Sequence, residues 1–288
     1  DWGPNPPEEQ TISAIHRGID AGMTWVDTAE IYGDGRSEEL VARALRARDD
    51  VMVFTKVAPA GAGSGFDARS VRRAAEASLR RLDRDVVDLY QLHWPDESVA
   101  VEETWEAMAR LADDGLVKWI GVSNFDQALI ERCLAIRHVD SLQSEFSLLR
   151  RAGEPDLFPW CAEQGIGFLA YGPLAYGLLT GAFSRDTVFG DDDWRSGKQG
   201  MDDDYRALFA PAAFERNLDI ADRLRKVADR LGATPAQLAL AWVVGREWAT
   251  AAIAGSRSPD HTAENAGAGD LVLDPPDLEE IEAILGDA

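Results

Sequence analysis

The sequence predicts an α/β protein that folds as a single-domain (β/α)8 barrel, also called a TIM barrel, over residues 1–288. Strand-like and helix-like segments alternate along most of the chain, which indicates parallel strands joined by crossover helices. The length of 288 residues suits one barrel of about 250 residues. A hydrophobic content of 45% is enough for a sizeable core, and no linker divides the chain.

The predicted strands are short segments of mainly aliphatic and β-branched residues. They cover residues 24–28, 51–57, 86–93, 117–122, 141–146, 166–171 and 250–254. The predicted helices cover residues 8–22, 37–47, 67–82, 100–115, 126–137, 156–165, 213–232, 235–246, 259–267 and 277–286. The chain begins at Asp1 without methionine and reaches its first helix almost at once. We therefore expect a trimmed N-terminus, with most of the barrel's first strand lying upstream.

A long segment rich in glycine and aspartate, which we call the acidic segment, interrupts the alternation at residues 175–212. It contains GDDDW at 190–194 and MDDDY at 201–205. A loop of this length in a compact domain is usually a functional lid or is disordered. Two interpretations stay open: a solvated acidic loop, or a flap over the barrel mouth whose Trp194 or Phe189 touches a bound ligand.

Charge and cysteine content narrow the class of protein. A formal charge of −22 and a pI near 4.5 argue against a nucleic-acid partner, which requires clustered Lys and Arg, and suggest a monomer or a loose homo-oligomer. Cys133 and Cys161 lie within helical patterns and are typical of free thiols in a reducing cytoplasm. No apolar run approaches the length of a membrane span, and the four histidines lack metal-ligand spacing.

Four polar side chains lie at or just beyond the ends of three consecutive strand-like segments: Asp27, Tyr32, Lys56 and His93. In a (β/α)8 barrel every strand delivers its last residues to the same mouth. A lysine within an apolar strand also needs a partner in order to be buried. We therefore expect the acid, phenol, amine and imidazole to converge in a proton-transfer site.

These four groups suit the reduction of a carbonyl, because hydride transfer leaves an alkoxide that needs a proton. Tyr32 can donate that proton, but an ordinary phenol has a pKa near 10. A charge about 4 Å away is worth about 4 kcal/mol at an effective dielectric of 20, or roughly 3 pKa units. We therefore expect Lys56 to lower the pKa of Tyr32, Asp27 to orient Lys56, and His93 to hydrogen-bond the carbonyl oxygen.

Four ordered motifs resemble the aldo-keto reductase family over nearly the whole chain. They are GIDAGMTWVDTAEIYGDGRSEELVARAL (18–45), FTKV (54–57), DLYQLHWPD (88–96) and GLVKWIGVSNF (115–125). The resemblance implies a (β/α)8 barrel that binds a nicotinamide cofactor, usually NADPH, across its mouth. It also implies that Tyr32 is the general acid-base, with the other three polar residues in supporting roles.

The resemblance also implies a set of residues that bind NADPH (NADP+). Ser123, Asn124 and Gln143 would hydrogen-bond the nicotinamide carboxamide, for which their side chains are chemically suited, and Tyr171 would stack on the ring. The segment PLAYGLLTG (173–181) resembles the loop that wraps the pyrophosphate. Backbone contacts would come from Leu174 and Gly177, while Gly172 replaces the serine that the family commonly has there.

The segment IAGSRSPDHTAEN (253–265) resembles the nucleotide handle of the family. Gly255, Ser256 and Arg257 precede a predicted helix, and a helix N-terminus with a hydroxyl and a guanidinium is a good phosphate site. The resemblance implies that Ser256 and Arg257 contact the 2′-phosphate, which favours NADPH over NADH. Glu264 and Asn265 would reach the adenine side. His261 stands where many members have a second arginine.

The predicted activity is NADPH-dependent reduction of an aldehyde or ketone to an alcohol, with Tyr32 as general acid. Trp2, Trp94 and Phe125 are candidates for the substrate pocket, although each is equally consistent with packing. The same chemistry run as alcohol oxidation stays open. So do two further classes of protein: an NADPH-binding regulatory subunit with little turnover, as in the channel-associated members of the family, and an unrelated barrel lyase or isomerase.

Overall fold

The computed structural model describes residues 7–59, 65–197 and 203–286. Within these ranges, seven strands form one sheet in which each strand pairs in parallel with the next along the chain. The strands are β1 (Trp25–Asp27), β2 (Met52–Val57), β3 (Val87–Leu92), β4 (Val117–Ser123), β5 (Ser141–Glu145), β6 (Gly167–Tyr171) and β7 (Ala249–Ala252). Each of them overlaps a predicted strand.

Helices connect the strands, as expected for parallel pairing. In the described ranges they are α1 (Glu8–Asp20), α2 (Arg36–Ala44), α3 (Ala68–Leu82), α4 (Val101–Asp113), α5 (Gln127–Leu134), α6 (Leu157–Glu163), α7 (Asp203–Ala207), α8 (Pro211–Arg230), α9 (Pro235–Val244), α10 (Pro259–Ala266) and α11 (Pro275–Gly286). Several begin at side-chain caps that the sequence contains. Asp67 caps α3, and Thr234 forms a capping box with Gln237 at α9, each satisfying free N–H groups of the first turn.

The sheet curls into a barrel. In a flat sheet β1 and β5 would lie about 19 Å apart, four strand spacings of about 4.8 Å. Instead, the side chain of Gln143 at β5 donates a hydrogen bond of 3.0 Å to Asp27 at the end of β1. This contact spans the interior, and the predicted (β/α)8 architecture is confirmed.

The core has two parts. The main core fills the space between the outer face of the sheet and the surrounding helices, where Leu92, Val122, Trp105 and Met108 are completely buried. A smaller apolar cluster lies inside the barrel and consists of Phe54, Leu89 and Leu169, with Trp25, Met52 and Ala251 packed against it. Because Lys56 follows Phe54 by two residues in β2, its side chain lies on the same side, one layer nearer the mouth.

The described parts of the acidic segment, residues 175–197 and 203–212, contain more regular structure than the predicted loop. It contains short 3-10 helices at Ala175–Thr180 and Trp194–Ser196, followed by α7. Phe183, Phe189 and Phe209 make edge-to-face contacts, so this segment buries aromatic surface of its own. That burial offsets part of the entropy cost of ordering a long connection.

Among the described residues, no helix is both long and apolar enough to cross a lipid bilayer.

Candidate active site

The four polar residues at the strand ends lie together at the mouth of the barrel. The Lys56 ammonium donates to a carboxylate oxygen of Asp27 and to the carbonyl oxygen of Thr28 at 2.9 Å. The hydroxyl of Tyr32 lies 3.4 Å from Nε2 of His93. The ammonium nitrogen of Lys56 is 5.4 Å from the centre of the Tyr32 ring, so the acid, phenol, amine and imidazole form one continuous group.

The Lys56–Asp27 ion pair is buried. The Lys56 side chain is 0% exposed and that of Asp27 is 6% exposed. Asp27 accepts from Lys56 at one carboxylate oxygen and from the Gln143 amide at the other. Such bonding offsets the cost of removing both charges from water and holds the Lys56 side chain in one orientation.

The electrostatics of Tyr32 differ from the sequence-based expectation. Burial, the charge of Asp27 and the nearby Tyr205 together raise the pKa of Tyr32 above its ordinary value, whereas we expected Lys56 to lower it. Burial is the largest cause, and Asp27, which partly balances the Lys56 charge, itself raises the pKa of the phenol. Tyr32 is therefore a neutral phenol that carries a proton.

His93 is a neutral imidazole at this site. Burial, with a further contribution from the Lys56 charge, lowers the pKa of His93 to about 3. Its Nδ1 atom is buried and has no hydrogen-bond partner among the described residues. A buried orphan acceptor is better tolerated than an orphan donor, so we place the proton on Nε2, which faces Tyr32. Trp94 stacks on His93 with ring centres 3.8 Å apart.

A second polar group lies at the ends of β4, β5 and β6. Asn124 has a left-handed backbone (φ 61°), and its amide donates at 3.1 Å both to Ser123 Oγ and to the carbonyl oxygen of His93. The hydroxyl of Tyr171 donates to the Asn124 side-chain oxygen at 2.9 Å. Ser123 and Gln143 are almost fully buried. The structure thus brings together all four residues that were predicted to bind the nicotinamide.

The predicted pyrophosphate loop follows β6 as a tight turn. Leu174 precedes three residues with positive φ: Ala175 (45°), Tyr176 (57°) and Gly177 (103°). A Cβ added at Gly177 would come within 2.9 Å of the Phe183 ring. The turn needs glycine here because both the backbone conformation and the close neighbour exclude a side chain.

The predicted nucleotide handle lies between β7 and α10. Ser258 caps α10, and Ser256 Oγ accepts from the backbone nitrogen of Ser258 at 3.1 Å. The side chain of Arg257 is exposed. Gly255 is exposed as well, and a Cβ added there would meet no atom within 4 Å. A hydroxyl and a guanidinium therefore flank a helix N-terminus that is open to solvent.

The two residues predicted on the adenine side lie on α10. Asn265 is buried, and its side-chain amide lies 3.5 Å from the carbonyl oxygen of Ala254. Glu264 is half-buried, and its backbone oxygen accepts from Gln237 at 3.0 Å. Their contact with adenine stays a prediction.

Comparisons with known proteins agree with this geometry. A sequence profile of the aldo/keto reductase family matches residues 1–286. The chain belongs to this family. Aldo-keto reductase YhdN of Bacillus subtilis is 33% identical over 293 residues, covering 99% of this chain and 86% of the relative.

Solved structures of other aldo-keto reductases share the fold. The glycerol dehydrogenase AKR11B4 from Gluconobacter oxydans superimposes with a TM-score of 0.89 at 29% identity, covering 99% of this chain and 88% of that one. An aldo-keto reductase from Klebsiella pneumoniae in complex with NADPH gives a TM-score of 0.75 at 33% identity, with 96% and 85% of the two chains covered. This aldo/keto reductase is an NAD(P)H-dependent oxidoreductase.

Sequence reasoning missed one aromatic residue at the mouth of this aldo/keto reductase. Tyr205, on α7 in the acidic segment, has its hydroxyl 3.2 Å from that of Tyr171. Its ring meets that of Tyr176 edge-to-face at 5.3 Å, and Tyr176 donates to Glu145 at the end of β5 at 3.0 Å. The only sequence signal was a tyrosine at the end of the MDDDY run, and nothing local showed that it reaches the barrel.

The aromatic residues that were candidates for ligand contact lie in different environments. Trp94 is 38% exposed beside His93, so it stays a candidate for the substrate pocket. Phe125 is 3% exposed and belongs to the hydrophobic core, which favours the packing interpretation. Phe189 and Trp194 pack against Phe209 rather than extending from the segment. Trp2 lies outside the described residues.

No cluster of three or more His, Cys, Asp or Glu side chains suited to a metal ion occurs in the part of the chain that the structure describes.

Proposed function

We propose that this aldo/keto reductase uses NADPH to reduce an aldehyde or ketone to an alcohol, with Tyr32 as the general acid. The observation that carries the proposal is the neutral Tyr32 phenol beside His93 Nε2, next to the buried Lys56–Asp27 pair. The NADPH complex of the Klebsiella pneumoniae relative supports this choice of cofactor.

The residues present fit a nicotinamide nucleotide chemically. A primary carboxamide both donates and accepts hydrogen bonds, and Asn124 and Gln143 carry both functions while Ser123 adds a hydroxyl. Tyr171 offers an aromatic ring at the end of the next strand. When bound, NADPH supplies the hydride. We assign these four side chains to holding its reactive end at the mouth of the barrel.

The side chains of the chain itself supply the proton and the orientation. Tyr32 donates its hydroxyl proton to the carbonyl oxygen as negative charge develops there. His93, neutral and protonated at Nε2, donates a hydrogen bond to the same oxygen and fixes the position of the carbonyl. Lys56, 5.4 Å from the ring of Tyr32, stabilises the phenolate that remains, and Asp27 holds Lys56 in place.

The protonation state of Tyr32 at neutral pH suits its role as a proton donor in reduction. The raised pKa of Tyr32 keeps the phenol in the proton-donating form. Alcohol oxidation requires the deprotonated form, which is scarce under the same conditions. One structural neighbour is a glycerol dehydrogenase, so alcohol oxidation with NADP+ is the second candidate, and we expect it to accelerate as the pH rises.

The test is NADPH consumption, followed by absorbance, with an activated aromatic aldehyde. We compare the parent protein with Tyr32→Phe and with the control Tyr90→Phe, which removes the hydroxyl of a fully buried tyrosine on β3. Loss of a general acid costs about 10²- to 10⁴-fold, so we expect Tyr32→Phe to lose turnover while binding NADPH. Tyr90→Phe should keep its turnover.

Two results would contradict the proposal. Parental turnover in Tyr32→Phe would remove Tyr32 from the role of proton donor. Tight NADPH binding without turnover in the parent, across a panel of aldehydes and ketones, would instead favour a regulatory subunit.

A further inference from the structure

A buried polar network lies behind the active site, and the proposed chemistry does not use it. Thr55, the residue before Lys56, donates its hydroxyl to Glu38 on α2 at 2.6 Å. Arg81 on α3 donates to the other Glu38 oxygen, also at 2.6 Å. Thr55 and Glu38 are both completely buried. The network therefore fastens helices α2 and α3 to the strand that carries Lys56.

Glu30 makes two contacts with the end of that strand. Its backbone nitrogen donates to the carbonyl oxygen of Lys56 at 3.3 Å. Its carboxylate accepts from the backbone nitrogen of Ala58 at 3.0 Å. The parallel ladder between β1 and β2 has just ended with a bond of 2.9 Å from Thr28 to Phe54. Glu30 thus extends the ladder by two rungs, and its side chain replaces a backbone carbonyl in the second.

The half-buried position of the Glu30 carboxylate is electrostatically unfavourable. Burial raises the pKa of Glu30, and the bond from Ala58 opposes the rise; of the nearby charges, Glu38 raises the pKa and Arg81 lowers it. The Ala58 residue is 2% exposed, so its N–H group would be orphaned without this acceptor. The bond from Ala58 is the hydrogen bond that holds the Glu30 carboxylate in this half-buried position, and the Arg81 charge adds to it.

Tyr32 follows Glu30 by two residues in the same loop. The far side of the loop is tied down independently: Ser37 N donates to the carbonyl oxygen of Tyr32 at 3.1 Å, and Thr28 Oγ1 donates to Ser37 Oγ at 2.8 Å. Loss of the Glu30 side chain would therefore remove the bond at Ala58, while the backbone bond from residue 30 to Lys56 and the bonds at Ser37 remain.

We propose that Glu30 is a positioning residue that docks the loop carrying Tyr32 onto the end of the strand carrying Lys56. The role rests on the proposed function, since it sets the distance between the phenol and the groups that support it. The Glu30 carboxylate bonds to the main chain of Ala58, and within the described residues it makes no hydrogen bond to the side chains of Asp27, Lys56 or His93. Its effect on the reaction passes through Tyr32.

The experiment compares Glu30→Ala, Glu30→Gln and Glu30→Asp with the parent. A misplacement of about 1 Å costs up to about 100-fold in rate, so we expect Glu30→Ala to lower kcat by about 10- to 100-fold with KM for the aldehyde and the Kd for NADPH unchanged. Glu30→Gln keeps an oxygen that accepts from Ala58 and should retain most of the parental kcat. Glu30→Asp keeps the charge but is one methylene shorter, so it should behave like Glu30→Ala.

Hydrogen exchange at Ala58 provides a readout that needs no turnover. We expect the Ala58 amide to exchange faster in Glu30→Ala and Glu30→Asp than in the parent, and at the parental rate in Glu30→Gln. The control is Glu154→Gln, which alters an acid that pairs with Arg151 and Arg246 away from the mouth. It should change neither kcat nor exchange at Ala58.

Several outcomes would overturn the inference. The first is a Glu30→Ala variant whose kcat equals that of the parent. The second is an active Glu30→Asp together with an inactive Glu30→Gln, which would show that the charge of the side chain matters and its hydrogen bond to Ala58 does not. If Glu30→Ala fails to fold, the Gln and Asp variants decide. If the parent turns over, Tyr32→Phe loses activity and Glu30→Ala keeps it, only the positioning role of Glu30 is refuted. A parent without turnover refutes the proposed function, and unchanged exchange at Ala58 refutes the bond by itself.

Discussion

The hydroxyl of Tyr32 lies 3.4 Å from Nε2 of His93, and the two rings meet at 74°. The residues come from different loops and are brought together only because β1 and β3 end at the same mouth. The contact joins two neutral groups with opposite pKa shifts: the pKa of Tyr32 is raised and that of His93 is lowered. Both groups therefore keep one protonation state over a wide range around neutral pH.

His93 should make the fold sensitive to acid. Its pKa is about 3 in the folded protein against 6.5 for the ordinary side chain, so the unfolded chain binds more protons. Stability from this group is fully present above pH 6.5 and falls as the pH drops towards 3, by up to about 1.4 kcal/mol per pH unit. We expect urea unfolding of His93→Gln to show a flatter decline over this range. Equal slopes for parent and variant would contradict the assignment.

Replacing one partner of the Lys56–Asp27 pair should destabilise the fold more than replacing both partners. Replacing one partner leaves a buried charge uncompensated, which costs about 3–5 kcal/mol. We expect Lys56→Met to lower the free energy of unfolding by about this amount and Lys56→Met/Asp27→Asn to recover part of it. Turnover should stay low in both variants, because the charge that stabilises the phenolate is absent. A double variant as unstable as the single one would argue against the pair.

Arg257 should set the preference between NADPH and NADH. A hydrogen bond to a charged group contributes about 1.5–3 kcal/mol, so Arg257→Ala should weaken NADPH binding by about 10- to 100-fold and leave NADH binding unchanged. The control is Arg110→Ala, which alters an exposed arginine on α4. Binding is measured by quenching of protein fluorescence. An unchanged ratio of the two dissociation constants would exclude Arg257 from contact with the 2′-phosphate.

The hydroxyl of Tyr205 should affect substrate binding at the mouth of the barrel. Tyr205→Phe keeps the ring contact with Tyr176 but removes the bond to Tyr171, a change of about 1 kcal/mol for a neutral hydrogen bond. We expect KM for the carbonyl substrate to rise by about fivefold and the melting temperature to fall by no more than about 2–4 °C. The comparison with Tyr205→Leu, which also removes the ring, separates hydroxyl from packing. Identical KM values in the parent and Tyr205→Phe would show that the hydroxyl plays no part.

The fold was predictable because its signals are local. The alternation of strand and helix patterns depends on apolar spacing within each segment, and every predicted strand overlaps an observed one. The positions of Asp27, Lys56 and His93 followed from the rule that parallel strands end at one mouth. By contrast, Phe125 was not assignable to pocket or core, because the exposure of an aromatic side chain depends on what packs over it.

The sequence by itself determined the architecture, the family and the four polar residues at the mouth, since each is encoded in short, ordered segments. Only the tertiary structure decided the direction of the Tyr32 pKa shift, the approach of Tyr205 to Tyr171 and the bond from Ala58 to Glu30. These features depend on distances between segments far apart in the chain and on exclusion of water. Electrostatic interactions change steeply with both, and neither distance nor burial can be read from residue types alone.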